Sequence, residues 1–216
     1  MATRTAVGLI IIIVGAMLFM SAWLYPQLPE TVVSHWGANG APNGMMPKFW
    51  GLFFLPLLTA GIVLLVFCLP YLDPLRKNIE SFRSIYNTFV VGLALFLLYV
   101  HSLTLLWNTG TYFDMGRALL PALGVGMYGL GMMLRHTKRN WFIGIRTPWT
   151  LSSDRVWEKT HALGSTLFET VGALIVLSAL FIEGRYYLWI ILVPILAAAG
   201  AVVVYSYVLY GREKKS

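Results

Sequence analysis

The chain has 216 residues, of which 58% are hydrophobic and 12% charged, with mean hydropathy +0.71. Soluble domains carry about 25% charged residues, so this composition leaves too little polar surface to cover a water-soluble fold. The formal net charge of +7 is no argument for direct nucleic-acid binding here, because basic residues collect on the cytoplasmic side of membrane proteins. The single cysteine, Cys68, excludes an intrachain disulfide and argues against a cysteine-based metal site.

Six apolar blocks follow one another, at residues 6–25, 49–72, 85–107, 117–134, 163–182 and 186–210. Each is close to the roughly 20 residues that a helix needs to cross a bilayer. The pattern predicts an all-α protein, one polytopic bundle of six transmembrane helices in the cell membrane. Arg4 precedes the first block as in a signal peptide, but the apolar run is too long and lacks a small-residue cleavage site, so it reads as a retained span. The fourth block carries Gly124, Gly126, Gly129 and Gly131, which predicts a helix packed inside the bundle.

Thirteen of the sixteen basic residues fall on one side of these blocks: Arg4, Arg76, Lys77, Arg83, the six between Arg135 and Lys159, and Arg212, Lys214 and Lys215. Only Lys48, Arg117 and Arg185 fall on the other. The positive-inside rule then puts both termini in the cytoplasm and loop 26–48 outside. Trp23, Tyr25, Phe49, Trp50, Trp107, Tyr186, Tyr187 and Trp189 lie at block ends, where amphipathic rings anchor to headgroups.

The outer loop contains Pro26, Pro29, Pro42 and Pro47, which forbid a long helix. Asn39-Gly40 and Asn43-Gly44 are turn signals, and Thr31 to Trp36 reads as extended. A small ordered cap is expected. His35, Trp36, Asn39, Gly40, Asn43 and Gly44 are its candidate residues for recognising an external ligand. The alternative is that His35 and Trp36 fold back onto the helix ends. Glu30 and His35 lack a third ligand, so no metal is predicted.

Ionisable groups inside spans are costly and need an explanation. His101 lies in the third block beside Ser102 and Thr104, about 9 Å along the helix from Trp107. It reads either as a hydrogen-bonded packing residue or as a functional group. Ser152, Ser153 and Asp154 read as a helix start, and no proline follows until Pro194. An amphipathic cytoplasmic helix continuing into the fifth span is therefore expected. On it Trp157, His161, Ser165 and Glu169 form one stripe. Glu169 is either part of a polar track through Ser165 to His161, or a residue near the inner headgroups facing water or an arginine.

The run from Asn140 to His161, NWFIGIRTPWTLSSDRVWEKTH, holds three of the eight tryptophans. Thr147 precedes Pro148, so the chain around Arg146 should be extended. Gly144 permits a sharp turn. Trp141, Phe142, Ile143 and Ile145 can dip into the inner interface, and Arg139, Arg146 and Arg155 can meet anionic headgroups. The candidate partner-binding set is Asn140, Trp141, Gly144, Arg146, Thr147, Pro148, Trp149, Ser152, Trp157 and His161.

This run, followed by a span with an early glutamate, resembles the signature of the SdpI family of membrane immunity proteins. The outer loop resembles the small uncharacterised domain that commonly precedes that signature. The resemblance implies an integral membrane protein that protects its cell from a secreted antimicrobial peptide. It further implies a receptor role in which a cytosolic repressor is sequestered at the membrane. The expected partners are the lipid bilayer, a toxin peptide and a repressor protein, with no cofactor and no catalysis. The alternatives are a proton-linked transporter using His101 and Glu169, although the halves show no internal repeat, and a membrane enzyme acting on lipid or cell-wall precursors. For the latter, Ser152, Ser153, Asp154 and His161 offer residue types without a catalytic spacing.

Overall fold

The computed structural model describes residues 1–214; Lys215, one of the basic tail residues above, lies outside them. Among the described residues, six helices are long and apolar enough to cross a membrane. They are α1 (Thr3–Leu24), α2 (Lys48–Leu72), α4 (Arg83–Asn108), α5 (Met115–Leu134), α7 (Asp154–Ser178) and α8 (Tyr187–Glu213). Two strands, β1 (Thr31–Trp36) and β2 (Pro42–Pro47), pair antiparallel between α1 and α2. Two one-turn-scale helices, α3 (Arg76–Glu80) and α6 (Pro148–Ser152), lie at the opposite end of the bundle from the hairpin.

The bundle is built from two packed halves. Ala6, Ile10, Ile13 and Met17 of α1 and Tyr86, Val90, Val91 and Ala94 of α4 form one core with Val63 of α2. Phe168, Val171 and Ile175 of α7 form another with Leu120 of α5 and Ala198 of α8. Met133 and Ile143 reach from the second half into the first core.

Two prolines inside α2 explain two polar side chains that would otherwise be anomalous in a membrane. Proline has no N–H and frees the carbonyl four residues earlier, which in hydrocarbon must find another donor. Pro56 frees Leu52 O, and Ser21 Oγ donates to it at 2.8 Å. Pro70 frees Val66 O, and Tyr86 Oη donates to it at 2.5 Å.

The glycines of α5 separate by face. A Cβ on Gly124 would lie 2.6 Å from Gly172 O, and one on Gly131 would lie 2.8 Å from Ser165 O, so α5 and α7 touch backbone to backbone there. Gly126 and Gly129 face open space. The close packing expected of this glycine-rich span thus rests on two of its four glycines, seven residues apart on one stripe.

The hairpin caps one end. Val32 is buried with Leu28, Leu52 and Leu105. Asn108, the last residue of α4, accepts from Val33 N at 2.8 Å and donates to Val33 O at 2.9 Å. Asn39-Gly40 forms the turn, with Gly40 at φ +79. Asn43-Gly44 does not turn: it lies in β2, opposite a register irregularity next to His35. Gly44 serves the strand pairing instead, because a Cβ there would lie 3.0 Å from His35 Cβ.

Candidate functional site: the loop between α5 and α7

Residues 135–153 fold into a compact knot at the end of the bundle opposite the hairpin. Asn140 is its organiser. It is fully buried; its Oδ1 accepts from Phe142 N (3.0 Å) and Ile143 N (2.7 Å), and its Nδ2 donates to Lys138 O (2.8 Å) and Ile143 O (2.9 Å). One side chain thereby closes a tight turn that no repetitive secondary structure supplies.

Two residues of α7 clamp the knot from behind. Trp157, 1% exposed, donates from Nε1 to Thr137 O at 3.0 Å. His161, 2% exposed, stacks on Trp157 with ring centroids 4.1 Å apart. His161 Nε2 accepts from Ile145 N at 2.9 Å, so that nitrogen carries no proton; Nδ1–H donates to Trp157 O at 2.8 Å. Gly144, at φ +116, packs against the His161 ring where a side chain would collide. Both ring nitrogens are engaged by backbone, so the anticipated polar track from His161 to Ser165 is interrupted at its first step.

Thr147 caps α6 in a reciprocal box with Thr150 and meets Ser206 Oγ of α8 at 3.1 Å. Pro148 occupies the first turn of α6, where its missing N–H costs nothing. Ser152 Oγ donates to Pro148 O at 2.6 Å, and Trp149 packs on Tyr207 with centroids 5.1 Å apart. Ser153, not Ser152, caps α7, accepting from Val156 N at 3.2 Å. The stretch around Leu151 is itself helical, as part of α6.

The outward side of the knot is what remains available to a partner. Trp141 is 52% exposed, Arg146 is exposed with its guanidinium on Trp141 O at 2.7 Å, and Arg155 and Lys159 are exposed on α7. Arg139 is not available to headgroups as expected: Asp154 pairs with it at 2.8 Å and Leu151 O accepts from it at 3.0 Å. With the Lys138–Glu158 pair (2.9 Å), these charges line a polar cavity of about 240 Å³ that also includes Asn78 and Trp157. The cavity reaches neither Glu169 nor Arg146.

Glu169 faces an arginine. Arg135 donates to both of its carboxylate oxygens, at 3.0 and 2.9 Å, and Ser165 Oγ donates to Oε1 at 2.9 Å. His101 is buried, and its Nε2 lies 3.0 Å from Ser21 Oγ, the group that donates to the carbonyl freed by Pro56. At the hairpin, Trp36 packs edge-on to Trp107 at 6.0 Å, folding back as one of the two alternatives foresaw. His35 stays exposed, bonded to Asn43 Oδ1 at 2.6 Å.

Two residues escaped the sequence reading. Asp73, 3% exposed, accepts from Leu75 N at 2.7 Å and from Trp141 N at 2.8 Å. Asn78 donates to Arg139 O at 2.7 Å. The only local hint was the Asp-Pro dipeptide at Asp73, a turn signal, because the loop partner of each lies more than sixty residues away.

Family comparisons divide the chain along the same lines. Residues 12–60, covering most of α1, the hairpin and the start of α2, match a domain of unknown function, DUF1648. Residues 136–208, covering the knot, α7 and most of α8, match the SdpI/YfhL protein family. Over 209 residues the chain is 31% identical to "Immunity protein SdpI" of Bacillus subtilis (strain 168), covering 94% of both chains. No solved structure matches.

Proposed function

The chain belongs to the SdpI/YfhL family of membrane immunity proteins, and from that premise we propose that it confers resistance to a secreted antimicrobial peptide without catalysing a reaction. In this reading both termini and the α5–α7 knot are cytoplasmic, supported by the distribution of basic residues. The hairpin is extracytoplasmic and meets the peptide, or the peptide's membrane target, through the exposed part of the cap around His35. The outward side of the knot, Trp141 and Arg146 together with the half-buried Trp149, is the surface offered to a cytosolic repressor.

One observation carries the proposal. The loop at the basic end is densely bonded, and its inward residues are consumed in holding it while Trp141 and Arg146 are displayed. A loop stabilised by Asn140, Trp157 and His161 in this way is a presented surface rather than a connection. Loops that carry function are typically held by a rigid scaffold in this manner.

The test is survival. Expressed in a host sensitive to a family toxin, the wild-type protein should raise the tolerated dose, and Arg146→Ala with Trp149→Ala should abolish transcriptional signalling. Survival unchanged by the wild-type protein, or signalling equal in the double variant, defeats the corresponding half of the proposal.

A further inference from the structure

The hairpin and the knot sit at opposite ends of the bundle, and α2 is one of the elements that run between them. β2 ends at Pro47 and α2 begins at Lys48, with no linker between. The junction is tightly seated. Lys48 N donates to Glu30 O at 2.8 Å, its ammonium reaches Leu28 O at 3.3 Å and pairs with Glu30 at 3.1 Å, and Gly51 lies flush against Val32. From there α2 runs 25 residues, about 37 Å.

At its far end Asp73 is the first residue past the helix, and it is buried. One carboxylate oxygen fixes the α2–α3 turn through Leu75 N; the other holds Trp141 N. Five residues on, Asn78 of α3 holds Arg139 O. The two side chains therefore grip residues 139 and 141, on either side of the organiser Asn140. A buried carboxylate satisfied by two amide donors gives bonds stronger than neutral ones, and losing one donor leaves a buried carboxylate oxygen unsatisfied at a cost.

Prolines would normally make α2 a poor connecting rod, since they are the usual sites of kinks. Here the carbonyls that both prolines free are bonded to neighbouring helices, Leu52 O by Ser21 and Val66 O by Tyr86. This pins the helix at its two weak points.

We propose that Asp73 and Asn78 are positioning residues that couple the hairpin to the knot through α2: displacing the hairpin shifts the end of α2 and loosens the grip on residues 139 and 141. Its use to an immunity protein rests on the function proposed above, because an external event would then change the surface displayed on the other side. The coupling itself is a property of the structure and is tested without a toxin.

The experiment is hydrogen exchange on the full-length protein in lipid nanodiscs, read at the amides of Phe142, Ile143 and Ile145. Their acceptors, Asn140 and His161, are untouched by the substitutions used. The hairpin is undocked with Val32→Ala and Asn108→Ala together. Asp73→Asn tests the grip, and Asn78→Ala serves in its place if Asp73→Asn disturbs exchange in α7. The expected result is exchange about tenfold faster at the three amides in the undocked variant. The same undocking should produce little further change in the background where the grip is already lost. Wild-type exchange at these amides after undocking overturns the proposal. So does an equal acceleration in both backgrounds, since independent effects multiply. Survival assays that fail while this non-additivity is seen would sink the immunity reading and leave the coupling standing.

Discussion

His161 shows how a residue that attracts attention as a chemical group can be occupied elsewhere. Its ring does three things at once: it accepts from Ile145 N, donates to Trp157 O and forms the wall against which Gly144 turns. His161→Ala removes an acceptor from a backbone amide and opens a gap in a buried stack. Those two mechanisms together should cost about 2–4 kcal/mol, measured as loss of thermal or denaturant stability in detergent. His136→Ala is the control: that ring is exposed and bonds only within its own turn, so the change should stay within about 0.5 kcal/mol. Glu169 and Arg135 call for a different measurement. The glutamate side chain is 18% exposed but the arginine is 57% exposed, so the pair lies between the surface and buried limits. A double-mutant cycle with Glu169→Gln and Arg135→Gln should give a coupling of about 1 kcal/mol. A coupling near zero would mean that Glu169 is held by Ser165 alone. The backbone partners of His161 were not available from sequence spacing, whereas an arginine facing Glu169 was one of the two readings it left open. The stripe Trp157, His161, Ser165, Glu169 was visible, and three of its members are buried on one face of α7 as the period requires. What a period cannot tell is which loop atoms arrive against that face from elsewhere in the chain.

At the scale of elements, the six spans and the extended segment Thr31–Trp36 were legible because each is encoded locally: apolar length for the helices, flanking prolines and β-branched residues for the strand. The continuation of α7 from Asp154 was legible for the same reason, since its cap is written in adjacent residues. The glycines of α5 were legible as a class but not as a face. Gly124 and Gly131 share one side of the helix with a seven-residue spacing, while Gly126 and Gly129 fall on the others, a distinction that depends on where α7 lies. It can be tested directly. Gly124→Ala places a methyl group against Gly172 O and Val176 in the α7 backbone, each 2.6 to 2.8 Å away. That contact cannot be relieved by a rotamer change, so the helices must part, at a cost of about 1–3 kcal/mol. Gly126→Ala meets nothing within 4 Å and should be neutral or slightly stabilising, since alanine favours helix over glycine by about 1 kcal/mol. Equal losses at both positions would mean that the α5–α7 contact is looser than the backbone distances imply. Asp73 is the opposite case to a cap or a period. Nothing near it in sequence distinguishes a buried clamp from a loop charge, because its partner Trp141 N is 68 residues away.

For the whole molecule, the decisive property is which end faces the cytoplasm, because every functional assignment changes sides with it. The geometry fixes only that the hairpin is at one end and the knot with both termini at the other: Met1 bonds to Ser84 O at the start of α4, and Trp149 packs on Tyr207 near the end of α8. The charge distribution supplies the direction. The knot end carries nearly all the basic residues, while Lys48, Arg117 and Arg185 at the hairpin end are each engaged: Lys48 with Glu30, Arg117 with Ile182 O and Arg185 with Glu183. Positively charged segments resist translocation, so the knot end should remain inside. Because Cys68 is the only cysteine, a Cys68→Ser background is free of thiols and each end can be labelled separately. Ala38→Cys, in the exposed hairpin turn, should react with a membrane-impermeant maleimide on intact cells. Lys159→Cys, on the exposed side of α7, should react only after permeabilisation. The reversed pattern would put the knot outside. It would also make Trp141 and Arg146, rather than His35, the residues that an external peptide meets first. Dual labelling at both positions would point to mixed insertion, which a charge difference this lopsided should prevent; adding arginines to the hairpin turn should then be needed to produce it.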